Sequence, residues 1–378
     1  MDLTLTEDQE LIQATAGELL ESRSAAAGVR AMEDDPTGYA TGLWKEMVEL
    51  GWTGLAFPES YGGVGAGFLE VCLLLEELGR FQVPSPFLTT VACCGLPIAR
   101  FGTAEQQAQW LPTIARGRVM SYVRAAPRGG WGSSGADVIA SEAADGRMLD
   151  GTALFAPWAE AAEELLVVAQ RHGGGPEELT VLLVDAASPG ITAEPLEVIG
   201  ADRLHRVAFE GVSVPADRVL GGGAVNGRAV VEAVSAYGAA AVCAEMVGGA
   251  QRVLDMTIGY ATQREQFGRP IGSFQAVQHH CADMATDVLS SRFIAYEAIW
   301  RLSEGLESAV EVSMSKAWVS EAYQRVCALG HQVHGAIGYT REHDLHWFSR
   351  HAMASALTFG DGDFHWERVA RTLGLPAR

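Results

Sequence analysis

The sequence predicts an α+β protein in three parts: an N-terminal helical region over residues 1–117, a small β region over 118–222 and a C-terminal four-helix bundle over 223–378. Three observations carry this. Capping-box patterns and apolar residues at helical spacing fill the first third. From about Arg118 the apolar residues fall into short runs cut by Gly, Pro and Asp, which is how strands read. From Val225 onward the helical period returns. At 378 residues the chain is also too long for one compact core.

Composition narrows the function. Hydrophobic residues make up 48% and charged residues 20%, which describes a well-buried globular protein. The formal net charge of -20 argues against nucleic acid or an anionic membrane as partner, since both require a basic face. An anionic ligand would have to be held by local arginines and helix N-termini against that field. The six cysteines, Cys72, Cys93, Cys94, Cys243, Cys281 and Cys327, show no metal spacing and read as reduced thiols of a cytoplasmic protein. No basic, apolar leader opens the chain, and no run is expected to span a bilayer.

In order, Thr6 to Gln9 is a capping box for a helix with Leu11, Ile12, Leu19 and Leu20 on its apolar side. Helices follow at Leu43–Leu50 and Phe68–Leu78, separated by the turn at Pro58 to Gly63. Thr103 with Gln106 repeats the capping box ahead of Trp110, Leu111 and Ile114. Strands are expected at Ser121–Val123, Leu165–Ala169, Leu179–Val184 and Val207–Val212. Leu220 to Gly223 then acts as a hinge. Breaks in the last region fall near Gly268, Glu304 to Leu306 and Gly335.

One stretch stands out, Tyr260 to Met284, reading YATQREQFGRPIGSFQAVQHHCADM. Gly268-Arg269-Pro270 must interrupt a helix, because proline lacks an amide donor and clashes with the preceding turn. Ser273 is the expected N-cap of the next helix, with Phe274, Val277 and Met284 on its apolar side. The connection holds Arg264, Gln266 and Phe267, a guanidinium fork, an amide and an aromatic ring that together suit a nucleotide.

Two other patterns are read more plainly. Gly130 to Gly135 satisfies GxGxxG, yet no apolar-periodic helix follows and no βαβ unit surrounds it, so it reads as a loop. His279 and Asp283 share a helix face with His280 and Cys281 nearby, which is too few ligands for a metal site.

The run YxxxRxQFGxPIGxFQxxQHxxADM resembles the FAD-contacting signature of the acyl-CoA dehydrogenase family. Ala56 to Gly63 resembles that family's P-E-x-x-G-G turn, and Val212 to Gly221 resembles its V-x-V-P-x-x-x-x-L-G segment. Gln332 to Tyr339 is similar to its second FAD signature, Q-x-x-G-G-x-G, with Ala336 in place of one glycine. The resemblance implies FAD as cofactor, an acyl-CoA thioester as substrate and α,β-desaturation as reaction. It places Arg264, Gln266, Phe267, Gln332, Gly335 and Gly338 on the ADP half of a flavin whose ring lies in a neighbouring subunit, which implies a tetramer.

The likeness breaks at the chemistry. The family's catalytic glutamate, which removes the α proton, corresponds to Phe359, and the alternative position early in the bundle corresponds to Gly238. Where the family reads Y-x-x-T-E-P, this chain reads Tyr122 to Pro127, with Ala125 at the hydroxyl position. Where it reads W-I-T, this chain reads Phe155-Ala156-Pro157, keeping an aromatic ring at Phe155 but no hydroxyl. The expected role is the base-lacking subunit of a hetero-tetramer with a paralogous chain, similar to family members that act on steroid side-chain thioesters. A homo-tetramer with a displaced base, Asp361 or Glu232, and a non-catalytic structural member are the alternatives.

Overall fold

The computed structural model describes residues 4–125, 130–132 and 136–375, and of residues 24–27 only the backbone. Helix α1 (Glu7–Ala27) opens where expected. Thr6 Oγ1 accepts from the Gln9 amide at 3.3 Å, and Gln9 Oε1 accepts from the Thr6 amide at 3.0 Å, satisfying donors that a helix start leaves open. Its apolar face is narrower than expected. Ala16 and Leu20 are buried, Ile12 and Leu19 are half-buried, and Leu11 is exposed.

A single turn, α2 (Val29–Met32), and α3 (Thr41–Glu49) lead to α4 (Phe68–Phe81), against which α1 packs. A π-helical stretch, Leu88–Gly95, runs directly into α5 (Leu96–Phe101), and α6 (Ala104–Ala115) starts on the second capping box. The π-helical stretch has no counterpart in the sequence reading. Thr89 to Gly95 are buried on every side, so they carry no one-sided apolar period to betray a helix.

Seven strands form one sheet: β1 (Met120–Val123), β2 (Val138–Ala143), β3 (Gly146–Pro157), β4 (Glu164–Arg171), β5 (Leu179–Asp185), β6 (Ile191–Pro195) and β7 (Leu204–Pro215). β4 runs antiparallel to β5 on one side, and on the other it pairs in parallel with β1 and β2 placed end to end. β2, β3, β7 and β6 continue antiparallel. The four expected strands are present, and their unbroken apolar runs match strands buried on both faces, as in β4 and β5. β2, β3 and β6 were not anticipated because they are half-exposed and carry polar residues.

A buried carboxylate and a loop arginine fasten the sheet to its surroundings. The Glu164 carboxylate at the start of β4 accepts from Arg118 at 3.3 Å and from Arg218 at 2.9 Å, one residue preceding β1 and the other following β7. Arg203 Nη2 donates to the carbonyls of Met32, Glu33 and Asp35 at 3.1, 2.9 and 2.8 Å, tying the β6–β7 loop to the segment before α3.

Gly221, Gly222 and Gly223, all at positive φ, carry the chain from β7 into α7 (Gly227–Gln263). A hairpin of β8 (Glu265–Gln266) and β9 (Arg269–Pro270) separates α7 from α8 (Gln275–Ser303), followed by α9 (Ala309–His334) and α10 (Leu345–Leu357). These four helices are the expected bundle, and α11 (Gly362–Thr372) adds a fifth against α9. Contrary to the sequence reading, α7 is long and apolar enough to cross a membrane on length and composition. Yet 72% of that apolar stretch is buried within the same chain, as in a core helix.

α4 and α7 meet backbone to backbone. A Cβ at Gly79 would lie 2.1 Å from the Glu245 carbonyl oxygen, and one at Gly248 would lie 1.8 Å from that of Glu76. Gly248→Ala must push the helices apart and is expected to destabilise by about 1–3 kcal/mol. Gly259→Ala, which meets nothing within 4 Å, is expected to stabilise by about 0.5–1 kcal/mol. Urea titrations of both variants check this, and equal midpoints would contradict the close approach.

Candidate functional site

α7 ends at Gln263, and the backbone of Arg264 closes the corner, its amide donating to Tyr260 at 2.8 Å and its carbonyl accepting from Ile271 at 2.8 Å. Phe267 and Gly268, with φ of 54° and 76°, form the two-residue turn of the β8–β9 hairpin, the geometry in which both central residues are left-handed. Phe267 is held at this uncommon φ with 93% of its surface exposed. Its ring meets the edge of Phe274 at 6.1 Å, and the Arg269 guanidinium lies 4.2 Å from the centre of the Phe274 ring. Arg264 and Gln266 are exposed, and among the described residues no hydrogen bond or ion pair takes up the Arg264 guanidinium. Ser273 does not cap α8: its hydroxyl donates back to the Pro270 carbonyl at 2.7 Å, and Phe274 occupies the N-cap.

The second segment sits at the same end of the bundle. α9 stops at His334, where Gly335 takes φ 66°, and a single tight helical turn covers Gly335–Tyr339. Tyr260, one turn before Arg264, stacks on His334 with centroids 4.5 Å apart, joining the two segments. Gln332 is exposed and Gly335 has open space where a side chain would be. Gly338 faces inward instead: a Cβ there would lie 3.1 Å from both His331 Nδ1 and Leu345 Cδ2. That glycine serves the packing of the turn.

On the sheet, Ala125 accepts from the Leu154 amide at 2.8 Å, which sets it beside Phe155. Phe155 sits in a bulge of β3 at φ 55° with 54% of its surface exposed. Pro157 offers only its carbonyl, which accepts from Ser121 Oγ at 2.6 Å. Nearby, the Tyr122 hydroxyl is buried without a partner among the described residues, and burial pushes its pKa up. Such an orphaned group calls for a ligand or water. Ala126, Pro127 and residues 133–135 of the GxGxxG pattern lie outside the described residues; Gly130 to Gly132 belong to no helix or strand. Among the described residues no group of three or more His, Cys, Asp or Glu side chains is placed to hold a metal.

The two base positions lie against each other. A Cβ at Gly238 on α7 would sit 2.4 Å from Phe359 Cζ, so the phenyl ring fills the space beside Gly238. Neither displaced candidate is free to act there. Asp361 caps α11, its carboxylate accepting from the Phe364 amide at 2.8 Å. Glu232 is exposed and accepts from Arg228 Nε at 2.9 Å.

Three side chains near this point escaped the sequence reading. Lys316 is fully buried and its pKa falls to about 8 through burial; its signal is a lysine on the same helical stripe as Val312, Val319 and Tyr323. Glu245 lies two turns along α7 from Gly238 and is half-buried, its carboxyl pushed well up by burial. His365 is buried, and its Nε2 lies 3.0 Å from the Phe359 carbonyl.

Residues 6–118 match the family profile described as acyl-CoA dehydrogenase, N-terminal domain, and residues 226–374 match acyl-CoA dehydrogenase, C-terminal domain. The chain is 28% identical to a probable acyl-CoA dehydrogenase, YngJ, of Bacillus subtilis over 99% of its length and 100% of the relative's. It superposes on butyryl-CoA dehydrogenase from Megasphaera elsdenii with a TM-score of 0.91 at 27% identity, covering 99% of this chain and 100% of that one. It also superposes on a chain of the ChsE4–ChsE5 complex from Mycobacterium tuberculosis with a TM-score of 0.89 at 28% identity, covering both fully. The fold and these matches define a FAD-dependent oxidoreductase. The chain belongs to the acyl-CoA dehydrogenase family.

The residues fit FAD unevenly. An unpaired arginine fork, an exposed ring and the open backbone at Gly335 suit a pyrophosphate and adenine. At the sheet, Ala125 and Pro157 offer no side-chain donor to a flavin ring, and Phe155 and the orphaned Tyr122 hydroxyl are what remains there.

His365 supplies a pH prediction. To donate to Phe359 its ring must carry the proton on Nε2, and Nδ1 has no partner among the described residues. Burial lowers its pKa from 6.5 to about 4. The folded state therefore binds this proton less readily than the unfolded one. Its stabilising contribution is complete above about pH 6.5 and is lost as the pH falls towards 4, by up to about 1.4 kcal/mol per unit. Urea unfolding at pH 7 and 4.5 should show a smaller acid loss in His365→Gln than in the wild type; equal losses would contradict the assignment.

Proposed function

We propose that this chain is the base-lacking subunit of a hetero-oligomeric acyl-CoA dehydrogenase, paired with a paralogous chain that supplies the carboxylate. The observation carrying this reading is the contact between Phe359 and Gly238, where an aromatic ring and a bare backbone occupy both positions that hold the base in the family. Desaturation needs a carboxylate at the α proton and a hydride acceptor at the β carbon. When bound, FAD supplies that acceptor. The contribution of this chain is to binding: Arg264 neutralises pyrophosphate charge, Gln266 and Gln332 offer amide donors and acceptors, and Phe267 presents an apolar ring to the adenine. Gly335 permits close backbone approach.

The ChsE4–ChsE5 complex is a pairing of two different chains on this fold, which supports a similar arrangement here. A homo-tetramer with a displaced base is less well supported, because Asp361 and Glu232 are engaged in a helix cap and a surface ion pair.

Two variants test the reading in the enzyme purified with its paralogue. Arg264→Ala is expected to lower FAD content at least five-fold while leaving the assembly's size unchanged; full flavin content would remove the guanidinium from the cofactor site. Asp361→Asn keeps a helix cap and should leave turnover within two-fold. A hundred-fold loss of turnover would make Asp361 the base and end the base-lacking reading.

A further inference from the structure

Lys316 projects from α9 into the bundle without solvent contact. Its Nζ donates to Ser320 Oγ at 2.9 Å, to the Ala356 carbonyl at 3.0 Å and to the Gly360 carbonyl at 2.9 Å. Three acceptors match the three N–H bonds of an ammonium group, so the buried charge is fully satisfied. Two of those acceptors bracket Phe359, one at the end of α10 and one directly after it. The Phe359 carbonyl itself accepts from His365 Nε2 at 3.0 Å. Gly360, at φ 112°, leaves room for that imidazole, since a Cβ there would lie 2.7 Å from His365 Nε2.

This frame holds Phe359 at φ 59°, a conformation that a bulky residue adopts only when its surroundings impose it. The ring is driven onto Gly238 and packs against the small cluster of Ala239, Ala298 and Val312.

We propose that Phe359 is a plug, latched by Lys316 and His365, that closes this chain's own acyl cleft so that the chain takes up no acyl thioester itself. The proposal deepens the base-lacking reading and rests on it. The missing carboxylate explains why this chain would not catalyse; the plug explains why it would not sequester substrate unproductively. Lys316 acts here as a positioning residue, since it touches the turn and not the substrate.

The test is calorimetric titration with a non-reactive thioether, S-octyl-CoA, into the assembly as purified, counting equivalents per copy of this chain. Phe359→Ala is expected to bind one equivalent more than the wild type, and Phe359→Leu, which keeps most of the packing volume, to bind the same extra equivalent at least ten-fold more weakly. Lys316→Met should release the turn and also gain binding. The proposal is overturned if wild type and both Phe359 variants bind the same number of equivalents with affinities within two-fold. FAD content, read from visible absorbance of the same samples, separates the two claims. Flavin retained in Arg264→Ala counts against the subunit's cofactor role, whereas the extra thioether site is read independently of it.

Discussion

Glycines along α7 set how closely its neighbours approach, and the bundle depends on that approach. At Gly248 the backbone of α4 enters, with a Cβ placed 1.8 Å from Glu76 O; at Gly249 the Tyr323 hydroxyl would be 2.3 Å away; at Gly238 the Phe359 ring would be 2.4 Å away. A side chain at any of these positions would force its neighbour to shift. A 37-residue helix buried on several faces thus becomes the axis on which α4, α9 and the α10–α11 turn converge. The same geometry seats Phe359, because the bare backbone at Gly238 admits an aromatic ring.

Electrostatics divide along the same line. Against a net charge of -20, most arginines are committed to partners within the chain, such as Arg118 and Arg218 on Glu164 or Arg325 on Asp287. Arg264 is left uncommitted among the described residues, on a hairpin whose turn presents Phe267 outward. A single exposed ring is ordinary on a protein surface; beside an uncommitted guanidinium it offers a ligand both an apolar face and a planar donor fork. Around Phe359 the opposite holds: a buried lysine spends its three N–H bonds on Ser320 and two carbonyls, and a buried imidazole donates from Nε2 to a third carbonyl.

The sequence made some of this legible and hid the rest for physical reasons. Capping boxes at Thr6 and Thr103 are local chemistry and fall where the pattern places them. The break at Gly268 to Pro270 is likewise local, although Ser273 turns back to Pro270 and does not cap the helix, because the hairpin offers a carbonyl within reach. Leu11 was placed on the buried face yet is exposed, since a helical period cannot say how wide the covering helix is. The π-helical stretch at Leu88–Gly95 left no amphipathic trace. At the site, the absence of carboxylates at 238 and 359 was readable, but their mutual contact and the latch from Lys316 depend on residues 40 and more positions apart, which no single-sequence pattern records.

The central claim, that this chain grips a cofactor without carrying the base, is tested most directly by the FAD-to-chain ratio and the solution size of the protein purified alone and after co-expression with its paralogue. The account predicts little or no flavin on the chain alone and a hetero-oligomer with one FAD per pair of chains after co-expression. One FAD per chain in a homo-oligomer that turns over acyl-CoA by itself would contradict it.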